Sequence, residues 1–426
     1  MILYQYKIYI VNRRELNLGV LGIIAEYNPF HNGHLYHLIE SKKISHSDYT
    51  IAIISGNFVQ RGNTSIVDKW TKAEMALLGG VDLVLELPTI YSISSAENFA
   101  DGAIKILDSL QIVDSISFGS ESGDINLLET IADVFYSEPK EYVSLLNHEL
   151  SKGISYPKAR ENAALMYLKD IRKYANILSS PNNILAIEYL KSLKKYKSNI
   201  TPFTIKRNKI GYNDENVVDG FSSSTAIRKM IQKSNISIIK DVVPSKIYEL
   251  LNDKIKKGNF VLDLSSFEKE IIYNFRKLSI SEIKELPDVG EGLENSIKSA
   301  ANMCNNLVEL VNIVKSKRYT QTRIQRILLY CLLEITKKDM LLSYKTQPYV
   351  RVLGMNSNGK QLLSEITKFN KKINLVTSVK DFMNNCNNKD LKRLLDIDIL
   401  ATNIYTLGYE YQSFANLDYT QKLVIL

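Results

Sequence analysis

Residues 22–37 read Gly22-Ile-Ile-Ala-Glu-Tyr-Asn-Pro-Phe-His-Asn-Gly-His-Leu-Tyr-His37, and the reading of this stretch decides the fold. The run Gly19–Ala25 has the length and β-branched content of a buried parallel strand. Asn28-Pro29 then turns the chain before a periodic apolar pattern resumes at Leu35. Strand, loop and helix follow one another. Gly33 and His34 fall in the first turn of that helix, whose free backbone N–H groups and positive dipole end favour an anion. Gly33 would let a phosphate come close to the backbone with no Cβ in the way. Two imidazoles three residues apart share one face of the turn, where they can donate to phosphate oxygens that gain charge in a transition state. A surface helix start that happens to carry histidines is the plainer alternative, but the strand–loop–helix setting is the one a phosphate site requires. No zinc site is read at His31, His34 and His37, because no cysteine is near and Glu40 is the sole following carboxylate at helical spacing.

Outward from this stretch, strand and helix patterns alternate. Tyr49–Ser55 is a second strand and residues 56–62 a loop. Asp68–Leu78 is an amphipathic helix stopped by Gly79-Gly80. Val81–Leu87 is a third strand closed by Pro88, Ala96–Leu110 a helix, and Ile112–Phe118 a fourth strand. These spacings give right-handed βαβ crossovers and a parallel sheet. Ligands of such sheets bind beyond the carboxyl ends of the strands, where His31, Gly56, Pro88 and Gly119 all fall. Helices are predicted near 126–136, 141–152, 157–168 and 183–194, the last with Asn182 as its N-cap, and a strand over 201–207. Ser222-Ser-Ser-Thr-Ala-Ile-Arg228 then opens a helix with a hydroxyl-rich first turn and an arginine one turn on. Capping is the plain role of such hydroxyls; holding phosphates is the functional one. Beyond about residue 235 the pattern reads as helical to the end.

The chain has 426 residues, 45% hydrophobic and 23% charged, which is ordinary for a globular protein with room for two domains. Its formal net charge of +8 suits a polyanionic partner. The basic run Lys315–Arg326 offers Lys317, Arg318, Arg323 and Arg326 as contacts for RNA phosphates, with a solvated helix face as the plainer reading. Cys304, Cys331 and Cys386 are far apart and form no C-x-x-C pair, so neither a disulfide framework nor a zinc ribbon is expected, and a reducing cytoplasm fits. No apolar run approaches the ~20 residues needed to cross a bilayer, and no signal peptide is read.

The H-N-G-H motif after a first strand resembles the signature of the HIGH-type nucleotidyltransferase superfamily. Together with S-G-N-F-V-Q-R-G at 55–62 and F-G-S-E at 118–121, the longer stretch from Ala25 to His37 resembles the bacterial tRNA(Met) cytidine acetate ligase family, over nearly the whole chain from Leu18. The resemblance implies an α/β fold: a Rossmann-like, parallel-sheet nucleotidyltransferase domain over residues 18–235 followed by an α-helical domain over 236–426 that contacts tRNA. Residues 1–17 are set apart as an extension, either an added strand or residues ahead of the start used in the cell. The implied activity is an ATP-dependent acetate ligase. It makes acetyl-adenylate from acetate and ATP, releasing pyrophosphate, then acetylates the exocyclic amine of the wobble cytidine of elongator tRNA(Met), releasing AMP.

The same resemblance implies that His31 and His34 act on the phosphates. ATP contacts then fall on Ile24, Ala25, Glu26, Tyr27, Asn28, Pro29, Phe30, His31, Asn32, Gly33, His34, Leu35, Tyr36 and His37, and on Gly119, Asn182 and Arg207. Ser223, Ser224, Thr225 and Arg228 are added as phosphate contacts on physical grounds, and resemble the family's I-S-S-T-x-I-R element, with Ser222 standing where that element has isoleucine. Mg²⁺ is expected with ATP, although no acidic cluster marks protein ligands for it. The base that takes the amine proton is left open: Glu26, Asp82 and Glu121 are possible by position, each with a structural role as the alternative. No stable protein partner and no membrane are expected. Two other classes of function remain: a nucleotidyltransferase acting on a small coenzyme precursor, against which the large helical region argues, and a non-catalytic RNA-binding protein, against which the intact histidines and Ser-Thr-Arg helix start argue.

Overall fold

Five stretches, four of them largely buried, form the parallel part of one sheet in the structure, a computed structural model that describes residues 19–207, 220–233, 236–411 and 413–426. The extension 1–17 lies outside the described residues. The strands are β1 (Val20–Ala25), β2 (Tyr49–Ser55), β5 (Leu83–Leu87), β6 (Ser115–Ser120) and β7 (Thr201–Lys206); a short antiparallel hairpin, β3 (Phe58–Val59) and β4 (Asn63–Thr64), fills the loop after β2. Their order is β5-β2-β1-β6-β7, all parallel, so the direction of strand addition reverses between β1 and β6. A crevice opens at such a reversal, because the connections on either side of it leave to opposite faces. Successive residues feed two cores: Val20, Ile51, Ile53 and Leu83 point to one face, Leu21, Ile23, Ala52 and Ile54 to the other.

Helices α1 (Asn32–Ser45), α2 (Lys69–Leu78) and α3 (Ala96–Ser109) make the first crossovers. Asp68 caps α2 by accepting from the Thr71 amide at 2.9 Å, and Ser95 caps α3. Four helices, α4 (Ile125–Ser137), α5 (Lys140–Ser151), α6 (Tyr156–Leu168) and α7 (Ile171–Leu178), lead to α8 (Pro181–Tyr196), which packs on α3 and α4. α7 has no counterpart among the predicted helices. Asn182 is not the N-cap of α8: that position is Ser180, and the cap is the carboxylate of Glu121, which accepts from the Asn182 and Asn183 amides at 3.2 and 2.8 Å. After β7 comes α9 (Ser224–Gln232).

Contrary to its helical pattern, the chain beyond residue 235 is not helical throughout. A run of helices from Ser245–Lys256 to Lys337–Lys345, among them α10 (Gln321–Leu332), is followed by β8 (Val350–Met355), β9 (Leu375–Val376), α11 (Lys389–Tyr405) and β10 (Val424–Ile425). β8 pairs antiparallel with β5, and β9 and β10 pair with β8, completing an eight-stranded sheet. The otherwise apolar strand is obscured in sequence by Arg351, its second residue, of a type ordinarily read as exposed. Here it is buried with its charge matched. Lys69 Nζ lies 3.0 Å from Glu86 Oε1 and 2.7 Å from Asp418 Oδ1, and Arg351 pairs with Asp418 and, at 3.3 Å, with Glu86 Oε2. Burial alone would raise the Asp418 carboxyl, but Lys69 and Arg351 hold it at about 2. Asp398 on α11, buried near Glu86, is pushed up to about 7 and accepts from the Thr89 amide and the Tyr349 hydroxyl. Two cations and two carboxylates thus tie the last residues of the chain to the sheet. Among the described residues no helix is long and apolar enough to cross a membrane.

Candidate active site

The carboxyl end of β1 delivers the chain into the loop Glu26–His31 at the reversal of strand order. Phe30 is buried so tightly that a Cβ at Gly79 would come within 2.5 Å of its ring, and Tyr27 packs on both Phe30 and His34. Asn28 is also inside: its amide donates to Thr64 O at 3.0 Å and its carbonyl accepts from Ile66 N at 2.8 Å, fastening the loop to the hairpin. Tyr27, Asn28 and Phe30 are therefore anchors of the loop. The buried side-chain amide of Asn28 is already matched within the protein.

His31 is the N-cap of α1, and with His34 it forms a capping box in which two imidazoles replace the usual hydroxyl and carboxylate. His31 Nδ1 accepts from the Gly33 amide at 3.0 Å, and His34 Nδ1 accepts from the His31 amide at 3.3 Å. Assigned from these bonds, the neutral tautomer of each ring carries its proton on Nε2. The rings stack with centroids 3.8 Å apart and planes 28° apart. Burial, with Arg207 and Arg228 close by, pushes His31 down to about 3. Burial, His31, Arg207 and His37 hold His34 well below the usual range. His37 falls to about 4 through burial and Arg207, against a bond to the Phe118 carbonyl. At neutral pH all three rings are uncharged donors.

Two sequence expectations change here. The amides of α1 do not wait for an anion: Asn32 N donates to Val242 O at 2.9 Å, Gly33 N to His31 Nδ1, and His34 N to His31 O at 2.8 Å. Gly33 is required by a ring, since a Cβ there would lie 2.8 Å from His31 Cε1. The donors left for a ligand are side chains. Arg207 lies over Gly119, where a Cβ would meet its Cγ at 3.2 Å, and its charge acts on all three histidines. Gly119, Arg207, His31, His34 and His37 are brought together on the β1–β6 side of the crevice. Ile24, Ala25, Pro29, Asn32 and Leu35 frame this loop; Asn32 Nδ2 donates to Gly220 O and Asp241 O, and Tyr36 faces solvent with Phe221 at 6.2 Å. Asn182 Nδ2 donates to Glu121 Oε1 at 2.7 Å.

Ser223 caps α9, accepting from Ala226 N at 3.1 Å, and Thr225 Oγ1 accepts from Arg228, which also donates to Asn28 O at 2.7 Å. The capping reading thus describes the Ser223 hydroxyl; Ser224 opens the helix, Thr225 receives the Arg228 side chain, and Arg228 holds the histidine loop. Ser222 is different: its buried Oγ has no hydrogen-bond partner among the described residues. Two contributors had no role in the sequence reading. These are Gln60, whose amide donates to Glu26 Oε1 at 2.8 Å, and Lys72, whose buried Nζ donates to Glu26 O at 3.0 Å and Ser55 Oγ at 3.2 Å. Burial lowers Lys72 to about 7 against the pull of Glu26, Glu86 and Asp68.

The basic run divides. Arg326 is buried and pairs with Asp288 Oδ2 at 2.9 Å, so its charge is matched inside the protein, while half-buried Arg323 donates to the backbone Asp288 O. Lys317 is exposed, as is Arg318, which pairs with Glu291 at 2.7 Å on the surface.

A parallel sheet with a histidine-capped helix at its switch point defines a nucleotide-handling enzyme. A family model described as HIGH Nucleotidyl Transferase matches residues 18–420, and the chain belongs to that family. Within it, the chain is 46% identical over 417 residues to the tRNA(Met) cytidine acetate ligase of Acetivibrio thermocellus, covering 96% of this chain and 100% of that one. It is also 46% identical over 409 residues to the tRNA(Met) cytidine acetate ligase of Thermoanaerobacter sp., with the same coverage. Among solved structures, Thermotoga maritima TmcAL in an apo form superposes with a TM-score of 0.91 at 34% identity, and the form bound with alpha-thio ATP with a TM-score of 0.89 at 34%; each comparison covers 96% of this chain and 100% of that one.

Proposed function

We propose that the protein is an ATP-dependent acetate ligase that forms acetyl-adenylate and acetylates the wobble cytidine of elongator tRNA(Met). The observation that carries the chemistry is the stacked pair of neutral imidazoles beside Arg207 at the β1–β6 switch point. In the first step a carboxylate oxygen of acetate attacks the α-phosphorus of ATP and pyrophosphate leaves. Such transfers depend on positioning and charge stabilisation rather than on a nucleophilic side chain. Nε2–H of His31 and of His34 donate to phosphate oxygens as their charge grows, and because the rings are neutral they need no proton from solvent to do so. Arg207 supplies the fixed positive charge, and Gly119 lets the nucleotide pass beside the strand end.

Mg²⁺ accompanies ATP in this reading. Among the described residues no three His, Cys, Asp or Glu side chains are grouped to hold a metal, so the triphosphate would be its main ligand. In the second step the cytidine amine attacks the acetyl carbonyl, with an unpaired anticodon base splayed into the crevice. Lys317 and Arg318 are the exposed cations of the basic run that would meet tRNA phosphates. The test is nucleoside mass spectrometry of bulk tRNA incubated with the protein, ATP, Mg²⁺ and isotopically labelled acetate. Labelled acetylcytidine is the expected product. Pyrophosphate release without it would point to another acceptor, and neither product would remove the ligase reading.

A further inference from the structure

The crevice has two sides, and the second is unassigned. The first, between β1 and β6, holds the histidines, Gly119 and Arg207. The second, between β1 and β2, holds Glu26 at the strand end with Gln60 and Lys72. We propose that Glu26 is the proton acceptor of the acetyl-transfer step, and that the loop carrying Gln60 forms the subsite for the acceptor nucleoside. This rests on the ligase reading above.

Of the three carboxylates left open by sequence, two are fully engaged. Asp82 lies ahead of β5, at the amino end of the sheet; its oxygens accept from Thr50 N at 2.9 Å and from the Asn356 and Asn358 amides at 3.0 and 3.1 Å. Glu121 has both oxygens on the first turn of α8, at 2.7 and 2.8 Å. Glu26 differs. One oxygen, Oε1, is held by Gln60 N at 2.8 Å, and Oε2 takes no hydrogen bond among the described residues; the residue is half-buried at the mouth of the site. A carboxylate fixed through one oxygen and open at the other is the arrangement a general base needs. Lys72 grips the Glu26 carbonyl from below, fixing the backbone that carries it.

The same turn also packs on the helix that follows the basic run. The turn that binds Glu26 continues to Gly62, where a Cβ would lie 2.5 Å from Arg326 N and Gln325 C, so the Gln60–Gly62 turn sits directly on the backbone of α10. The exposed Lys317 and Arg318 lie just ahead of that helix. In this reading, tRNA phosphates held by those cations lie next to the helix that supports the Gln60–Gly62 turn. In the step itself, the cytidine N4 forms a bond to the acetyl carbon, the bond from that carbon to the AMP phosphate oxygen breaks, and AMP leaves with the electron pair. The N4 proton passes to Glu26 Oε2 and then to water.

The test is single-turnover transfer from acetyl-adenylate to an elongator tRNA(Met) transcript by the full-length protein, wild type against Glu26→Gln, with ATP affinity measured for both. Wild-type transfer establishes the ligase reading independently of Glu26; its absence would sink that reading itself. Glu26→Gln keeps an oxygen for Gln60 N and should lose at least ~100-fold in transfer, exceeding any loss of ATP affinity tenfold or more. Transfer within threefold of wild type, or a fall matched by an equal loss of ATP affinity, overturns the proposal. If Glu26→Gln does not fold, Glu26→Asp decides in its place: retraction of the carboxylate should cost at least ~10-fold in transfer, and wild-type transfer overturns the assignment.

Discussion

Two groups of buried ionisable side chains sit on the same sheet and behave in opposite ways. At the β5–β8 junction, Lys69, Arg351, Glu86 and Asp418 match charge with charge inside the protein. At the β1–β6 switch point, His31, His34 and His37 are buried beside Arg207, and among the described residues no carboxylate is one of the groups that set their titration. The His31 and His34 rings each use Nδ1 on the backbone and keep Nε2–H for something else. A closed set of partners stabilises a fold, whereas an open set of donors under positive potential is organised for an anion.

The contrast can be broken at either end. Asp418→Ala removes one carboxylate and leaves Lys69 and Arg351 buried without it; a loss of about 3–5 kcal/mol in unfolding free energy is expected from denaturant titration. A loss below about 1 kcal/mol would show that the cluster is not closed in solution. His34→Ala should lower the rate of acetate-dependent pyrophosphate release by roughly 10²–10³, the usual effect of removing one transition-state donor. Normal release by that variant would take the imidazole out of the mechanism.

Acid sharpens the comparison. The unfolded chain takes up protons on His31 and His37 near pH 6.5, whereas the folded chain does so only at about 3 and about 4. The unfolded state therefore binds more protons in between, and stability should fall as pH drops from about 6.5 towards 4, within the window these two shifts define. Urea midpoints at pH 7 and pH 5 would show this, with a smaller drop in the His37→Phe variant. At the surface the expected effect is smallest. Replacing Lys317 and Arg318 with Ala should make the dependence of log K for tRNA on log salt shallower by about 0.7–0.9 for each phosphate that is no longer neutralised. An unchanged slope between 50 and 200 mM salt (about the range over which such slopes are read) would place the tRNA elsewhere.

Legibility in the sequence followed the range of the interactions. β1, β2 and β5–β7 and their crossover helices were readable because apolar periodicity and glycine stops act within a dozen residues. Arg326 misled because a cation next to hydroxyls looks solvated until Asp288, remote in sequence, is seen to pair with it. Gln60 lies in the 55–62 motif, but nothing there marked its role, since its contact with Glu26 is made by a backbone amide.

By itself, the sequence determined that a strand, a proline turn and a histidine-bearing helix start follow one another, and therefore that an α/β sheet places two imidazoles at a strand end. Only tertiary structure decided the rest. It turned Gly33 from a phosphate approach into room for the His31 ring, set the tautomers by burying the backbone amides they accept from, and added β8–β10 to the sheet. The physical reason is common to all three. Each depends on which groups are desolvated together by segments far apart in the chain, and desolvation is a property of the packed molecule that no local pattern carries.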